Sequence, residues 1–214
     1  MKKTLYNKFD KSMINSLPIA TFQGRIIVVV SAFEAEKAVR YLLRQSILGI
    51  DTETRPCFRK GQGHQVALLQ VATHEECFLF RLNRLGVSAS VKALLEDTRV
   101  MKVGLSLKDD ICALKRLFPF TPGYFVDLQQ CVKEIGIEDM SLQKIYANFF
   151  GQKISKSQRL TNWEADTLTE KQKVYAATDA YTCIEIYEEL QRLEYTGDYV
   201  IVKVDEESPA STNE

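Results

Sequence analysis

Apolar positions along the chain follow two periods. Arg25-Ile26-Ile27-Val28-Val29-Val30 is β-branched and unbroken, the pattern of a buried strand. Ser31 follows as an N-cap, with Glu34 three residues on as in a capping box, and predicts a helix to about residue 44. Ser46-Ile47-Leu48-Gly49-Ile50 predicts a strand ending at Asp51, residues 66–72 another buried strand, and residues 76–80 an alternating one. Residues 88–95 read as helix and 101–104 as a short strand. Ile111, Leu114, Leu117 and Phe118 have helical spacing over 109–118, residues 119–123 break it, and 124–127 read as one more strand. Helices are expected at 128–135, 141–150 and 169–193, with weak alternation at 199–204. Strands interspersed with helices predict an α/β fold, a central mixed β-sheet flanked by helices.

Length and composition fit one domain at 25–195. Residues 1–24 would be an N-terminal extension with Leu17-Pro18-Ile19 extended, and 196–214 a C-terminal extension, disordered after 204. Lys+Arg and Asp+Glu both total 28, so no global basic field exists, and any nucleic acid would have to be caught by a local patch or by metal ions. That weighs against a tight, sequence-reading DNA binder. The five cysteines, Cys57, Cys77, Cys112, Cys131 and Cys183, are scattered without a Cys-x-x-Cys pair, which argues against zinc and disulfides and for reduced thiols. The aliphatic run at 26–30 is too short for a signal peptide or a membrane span, so a soluble, cytoplasmic protein is expected.

The chemistry sits in two places. Asp51 and Glu53 are two apart, and in a strand such residues share a face. Tyr175 and Asp179 are four apart in a helical stretch and lie about one turn apart on one face. Local folding does not ask for this set, whereas hard divalent cations bind carboxylate oxygens.

Gly49-Ile50-Asp51-Thr52-Glu53, then Lys102-Val103-Gly104 with Lys108 and Asp110, then Tyr175-Ala176-Ala177-Thr178-Asp179-Ala180-Tyr181 resemble three ordered exonuclease motifs. Together they resemble the DEDDy-type 3′-5′ exonucleases, in the ribonuclease D and Werner-syndrome exonuclease branch. Ser141-Leu142 and Arg159-Leu160-Thr161-Asn162-Trp163 sit where that branch carries similar segments. The resemblance covers roughly residues 20–195.

It implies a ribonuclease H-like fold and release of nucleoside 5′-monophosphates from a 3′ end of DNA or RNA, with single strands suited best. It implies two divalent ions, Mg²⁺ or Mn²⁺, which hydrolyse phosphodiesters when held about 3.5–4 Å apart. Asp51 would be shared, Glu53 and Asp179 would complete the first site, Asp110 would serve the second, and Tyr175 would orient the attacking water. Gly104, Lys108, Asp110 and Leu114 fit the pattern of the second motif, while Asp109 reads as a first-turn acid favourable to the helix dipole. No helical nucleic-acid-binding domain of the ribonuclease D type is visible in these residues, so low processivity is expected unless a protein partner holds the substrate.

Bland readings compete elsewhere. Trp163 reads as a packing anchor and His64 as structural. Thr52 sits between two of the acids, and Lys153, Lys156 and Arg159 form an acid-free run before the third motif; these four are candidate nucleic-acid contacts, against a solvated loop. The loop at 55–64, with Arg55, Arg59 and Lys60, lacks the Gly-Lys-Ser/Thr of a P-loop. Two rival functions are a catalytically silent nucleic-acid-binding or adaptor domain on this fold, and a nuclease with endonuclease or transposase-like specificity.

Overall fold

The computed structural model describes residues 2–58, 63–86 and 88–204. The middle of the cation-rich loop, with Arg59 and Lys60, and the tail beyond residue 204 lie outside the described residues. In chain order the elements are β1 (Lys3–Tyr6), α1 (Lys11–Ile14), β2 (Arg25–Val29), α2 (Ala32–Leu42), β3 (Ile47–Thr54), β4 (Val66–Ala72), β5 (Glu76–Arg81) and α3 (Leu82–Leu85). They continue as α4 (Ala89–Glu96), β6 (Met101–Gly104), α5 (Leu107–Leu117), β7 (Phe125–Asp127), α6 (Leu128–Glu134), α7 (Leu142–Phe150), α8 (Glu170–Thr196) and β8 (Tyr199–Val202).

Six strands form one mixed sheet in the order β2-β5-β4-β3-β6-β7. β3, β4 and β5 are antiparallel neighbours, and the outer pairs β2–β5, β3–β6 and β6–β7 run parallel. Helices cover both faces. α6, α7 and α8 pack over Leu68, Ala72, Cys77, Leu79 and Val103. α2, α4 and α5 pack over Leu48, Ile50, Leu69, Val71, Phe78 and Phe80. This double cover explains why β5 is buried on both faces although its sequence alternates.

Several boundaries differ from the sequence pattern. β3 does not end at Asp51 but runs to Thr54, because β4 continues the ladder opposite Thr52, Glu53 and Thr54, with a register irregularity after Glu53. Ser31 and Glu34 form the expected capping box of α2. The N-terminal residues hold more structure than expected: β1 pairs in parallel with β8, a contact between the two ends of the chain that no local pattern encodes. Cys77, Cys112, Cys131 and Cys183 are free thiols. No helix among the described residues is long and apolar enough to cross a membrane.

Candidate active site

Strand alternation sends Leu48 and Ile50 to one face of β3 and Gly49, Asp51 and Glu53 to the other, beneath α8. α8 approaches closely because its contact face is small: Ala176, Ala177 and Ala180 are fully buried. Thr169 caps the helix, and Gln172 completes the capping box while donating to Thr161 Oγ1 at 3.0 Å and the Asn162 carbonyl at 3.2 Å. The loop that carries Arg159 is thereby tied to the start of α8. One carboxylate oxygen from each of Asp51, Glu53 and Asp179 lies within 4.8 Å of the others.

The fourth acid comes from the opposite face of the sheet. Thr52 points there, and its hydroxyl donates to Asp110 Oδ1 on α5. Asp109, beside it, is exposed. Gly104 lets α5 approach, since a Cβ at that position would stand 2.6 Å from the Ile50 carbonyl oxygen and 2.5 Å from Leu107. Ser106 turns the chain into α5 in the left-handed region, at φ 60°. Asp127, at the end of β7, accepts from Ser106 N at 3.0 Å, Leu107 N at 2.9 Å and Gln129 N at 3.0 Å. It therefore anchors α5 and α6 together. The sequence reading passed over Asp127; an acid directly before a helix is the signal that marks it.

These acids repel one another. Burial, then the charges of Asp179, Asp110 and Glu53, push Asp51 well above the usual carboxylate range. Burial, then Asp179 and Asp110, push Glu53 up to about 9, against the pull of Arg159. Burial lifts Asp179 to about 7 despite a hydrogen bond from Tyr175 and the charge of Lys156. Asp110 rises to about 6, again chiefly by burial, with the Thr52 hydroxyl opposing. Burial and the adjacent charges of Asp179 and Glu53 hold the Tyr175 phenol far above its ordinary value, so it stays protonated and acts as a donor. Three carboxylates pressed together with their charge uncompensated suit a hard dication with oxygen ligands.

Trp163 is fully buried, with its ring centroid 6.0 Å from that of Tyr175, and backs the phenol from behind. A cleft of about 370 Å³ opens in front, lined by Asp51, Asp179, Tyr175, Lys156 and Arg159 and by the start of α7. The three candidate cations separate here. Lys156 and Arg159 face the acids, whereas Lys153 turns away and donates to the Asn15 carbonyl. Thr52 is committed to Asp110. His64 and Arg55 both bind Glu164, at 2.9 Å and 3.3 Å, and so brace the loop that follows β3.

A family model described as 3′-5′ exonuclease matches residues 26–193, a span that includes Asp51, Glu53, Asp110, Tyr175 and Asp179. The chain belongs to the 3′-5′ exonuclease family. Its members are hydrolases, and their dependence on divalent metal agrees with the acid cluster. The bifunctional 3′-5′ exonuclease/ATP-dependent helicase WRN of Mus musculus is 32% identical over 212 residues, covering 94% of this chain and 15% of that protein. A 3′-5′ exonuclease of Arabidopsis thaliana is 28% identical over 208 residues, covering 89% and 72%. This exonuclease chain thus spans about a seventh of the mouse protein's length.

Solved structures share the ribonuclease H-like exonuclease fold. The Nibbler EXO domain of Aedes aegypti superposes with a TM-score of 0.75 at 22% identity, over 83% of this chain and 94% of that one. Escherichia coli RNase D gives 0.71 at 22% identity, over 82% and 46%.

Proposed function

We propose that residues 25–195 form a catalytic unit that removes nucleoside 5′-monophosphates one at a time from the 3′ end of a DNA or RNA strand. The observation that carries this is the meeting of Asp51, Glu53 and Asp179 within 4.8 Å, beside a phenol and two cations in one cleft. Asp51, Glu53 and Asp179 would hold one divalent ion, and Asp51 with Asp110 a second, as Mg²⁺ or Mn²⁺. Such ions lower the pKa of water and neutralise charge on the leaving oxygen.

The chain's own groups arrange the reaction. Water attacks the phosphorus of the terminal nucleotide, the bond from phosphorus to the 3′ oxygen of the next nucleotide breaks, and that oxygen leaves as the hydroxyl of the shortened strand. Tyr175, kept protonated and braced by Trp163, presents its hydroxyl to the cleft beside Asp179 and orients the water. Lys156 and Arg159 meet the phosphate oxygens, contacts that position a strand without reading its bases. The cleft volume lies within the range for one small ligand, in keeping with a single unpaired end.

RNase D of Trypanosoma brucei has been solved in complex with RNA U12, which makes RNA a substrate to test beside DNA. A cytoplasmic location and a protein partner that supplies processivity belong to the same reading.

The test compares 5′-labelled and 3′-labelled single strands of DNA and RNA with Mg²⁺, Mn²⁺ or EDTA, alongside Asp51→Asn. A metal-dependent ladder from the 5′ label, with mononucleotide from the 3′ label and loss of both in the variant, is the expected result. No degradation, with strand binding intact in both proteins, would instead identify a silent binding module.

A further inference from the structure

The N-terminal segment lies outside the matched residues 26–193, yet it is fastened to the walls of the cleft. Phe9 N donates at 2.6 Å to Asp139 Oδ2, and Lys144 on α7 pairs with the other oxygen of Asp139 at 2.9 Å. Phe9 and Ile14 then pack with Ala147 of α7. Lys153 N donates to the Pro18 carbonyl and Ala20 N donates to the Lys153 carbonyl, both at 2.9 Å, which zips the segment to the loop leading to Lys156.

Lys11, the first residue of α1, is held between these attachments. It is exposed and has no carboxylate within ion-pair distance among the described residues. Asp10 next to it is engaged with Ser12 in capping α1. Lys11 and Lys144 stand near enough that their charges, after burial and Arg159, weaken the hold of Lys156 on its proton. Arg159 and Lys156 line the cleft, Lys144 stands on the helix whose start forms its wall, and Lys11 is carried by the segment fastened to that helix.

Apolar side chains share the cleft with Lys156 and Arg159. Met140, at 56% exposure, lines the cleft. Past Ile154, Ser155 and Tyr175 the cleft adjoins a second cavity of about 340 Å³, walled on its far side by Ile19, Ala20 and Thr21 of the same segment. A positively charged groove that tracks the backbone is how single strands are held without base reading.

We propose that Lys11 extends the phosphate-binding rim of the cleft, so that the N-terminal segment grips the phosphodiester backbone upstream of the strand's 3′ end. The inference takes the position of that end from the exonuclease reading, while the binding it describes is measured without turnover.

The experiment measures binding of labelled single strands by anisotropy in EDTA, and KM with Mg²⁺, for the full chain and for Lys11→Glu, Lys11→Arg and Lys37→Glu. Lys37 sits on α2, over the other face of the sheet, and makes the same charge change away from the cleft. Lys11→Glu should bind a strand of about 12 nucleotides about tenfold more weakly, with a salt slope smaller by about 0.7. The penalty should shrink as the strand is shortened to two or three nucleotides. Lys11→Arg should match the parent.

Equal binding by Lys11→Glu and the parent, a penalty independent of strand length, or an equal defect in Lys11→Arg would each overturn the proposal. If Lys11→Glu weakens binding but no divalent ion yields nucleotide release, the rim stands and the exonuclease reading fails. If nucleotide is released and Lys11→Glu behaves as the parent, the reverse holds.

Discussion

Gly49 on β3 meets the main chain of α8 at Ala180: a Cβ on Gly49 would stand 1.9 Å from the Ala180 carbonyl oxygen. No flexible side chain is available to give way, so the strand and the helix would have to separate. That contact sets how near Asp51 comes to Asp179, each one or two residues from it. Gly49→Ala should therefore cost about 1–3 kcal/mol of stability by overpacking. It should also lower the rate at least about tenfold, although no chemical group is removed, because misplacement of about 1 Å is that costly. Thermal unfolding and single-turnover cleavage at saturating Mg²⁺ check both; a destabilised protein with unchanged cleavage would show that the spacing tolerates the shift.

Tyr175→Phe should slow cleavage by about 10²-fold or more while leaving divalent-ion binding nearly intact, since a donor is lost and no ligand is. Calorimetric titration with Mn²⁺ and single-turnover kinetics separate the two effects. A collapse of ion affinity would assign the phenol to the architecture around Asp179 rather than to the reaction.

The acid cluster makes the stability of the metal-free protein depend on pH in a stated direction. Glu53 at about 9, Asp179 at about 7 and Asp110 at about 6 all lie above the unfolded range near ~4. The folded chain thus retains protons that the unfolded chain has released. Stability contributed by these groups is fully present below about pH 4 and falls as pH rises towards about 9. In EDTA, Tm should drop across pH 5 to 9, less steeply in Asp51→Asn, and the gain in Tm on adding Mg²⁺ should grow with pH. A Tm difference between parent and Asp51→Asn that stays constant over the window would count against the repulsion.

Asp127 accepts three backbone N–H groups and supports the left-handed turn at Ser106. Asp127→Ala leaves those donors unpaired, at about 1–3 kcal/mol, and frees the start of α5. Asp110 should then drift from Thr52, and the divalent-ion concentration for half-maximal cleavage should rise several-fold. A lower Tm with an unchanged ion requirement would show that the anchor serves folding alone.

Much of this site is legible in the one-dimensional pattern. A period of two puts Asp51 and Glu53 on one face, and a spacing of four does the same for Tyr175 and Asp179, because backbone geometry alone sets these relations. The resemblance to the family's second motif, through Gly104, Lys108 and Leu114, picks Asp110 as the acid that faces β3, and the Ser31–Glu34 pair marks where α2 begins. What remained hidden depends on contacts between distant residues. Asp51 looks like the end of a strand until β4 supplies a ladder beyond it. Lys153 belongs to an acid-free run that suits phosphate contact, but its ammonium goes to Asn15, 138 residues earlier in the chain. Asp127 looks like an ordinary cap until the turn at Ser106 folds onto it. Periodicity assigns each side chain a face, and only the packing of β3 against α8 and α5, through the bare backbone at Gly49 and Gly104, decides which faces meet and how closely.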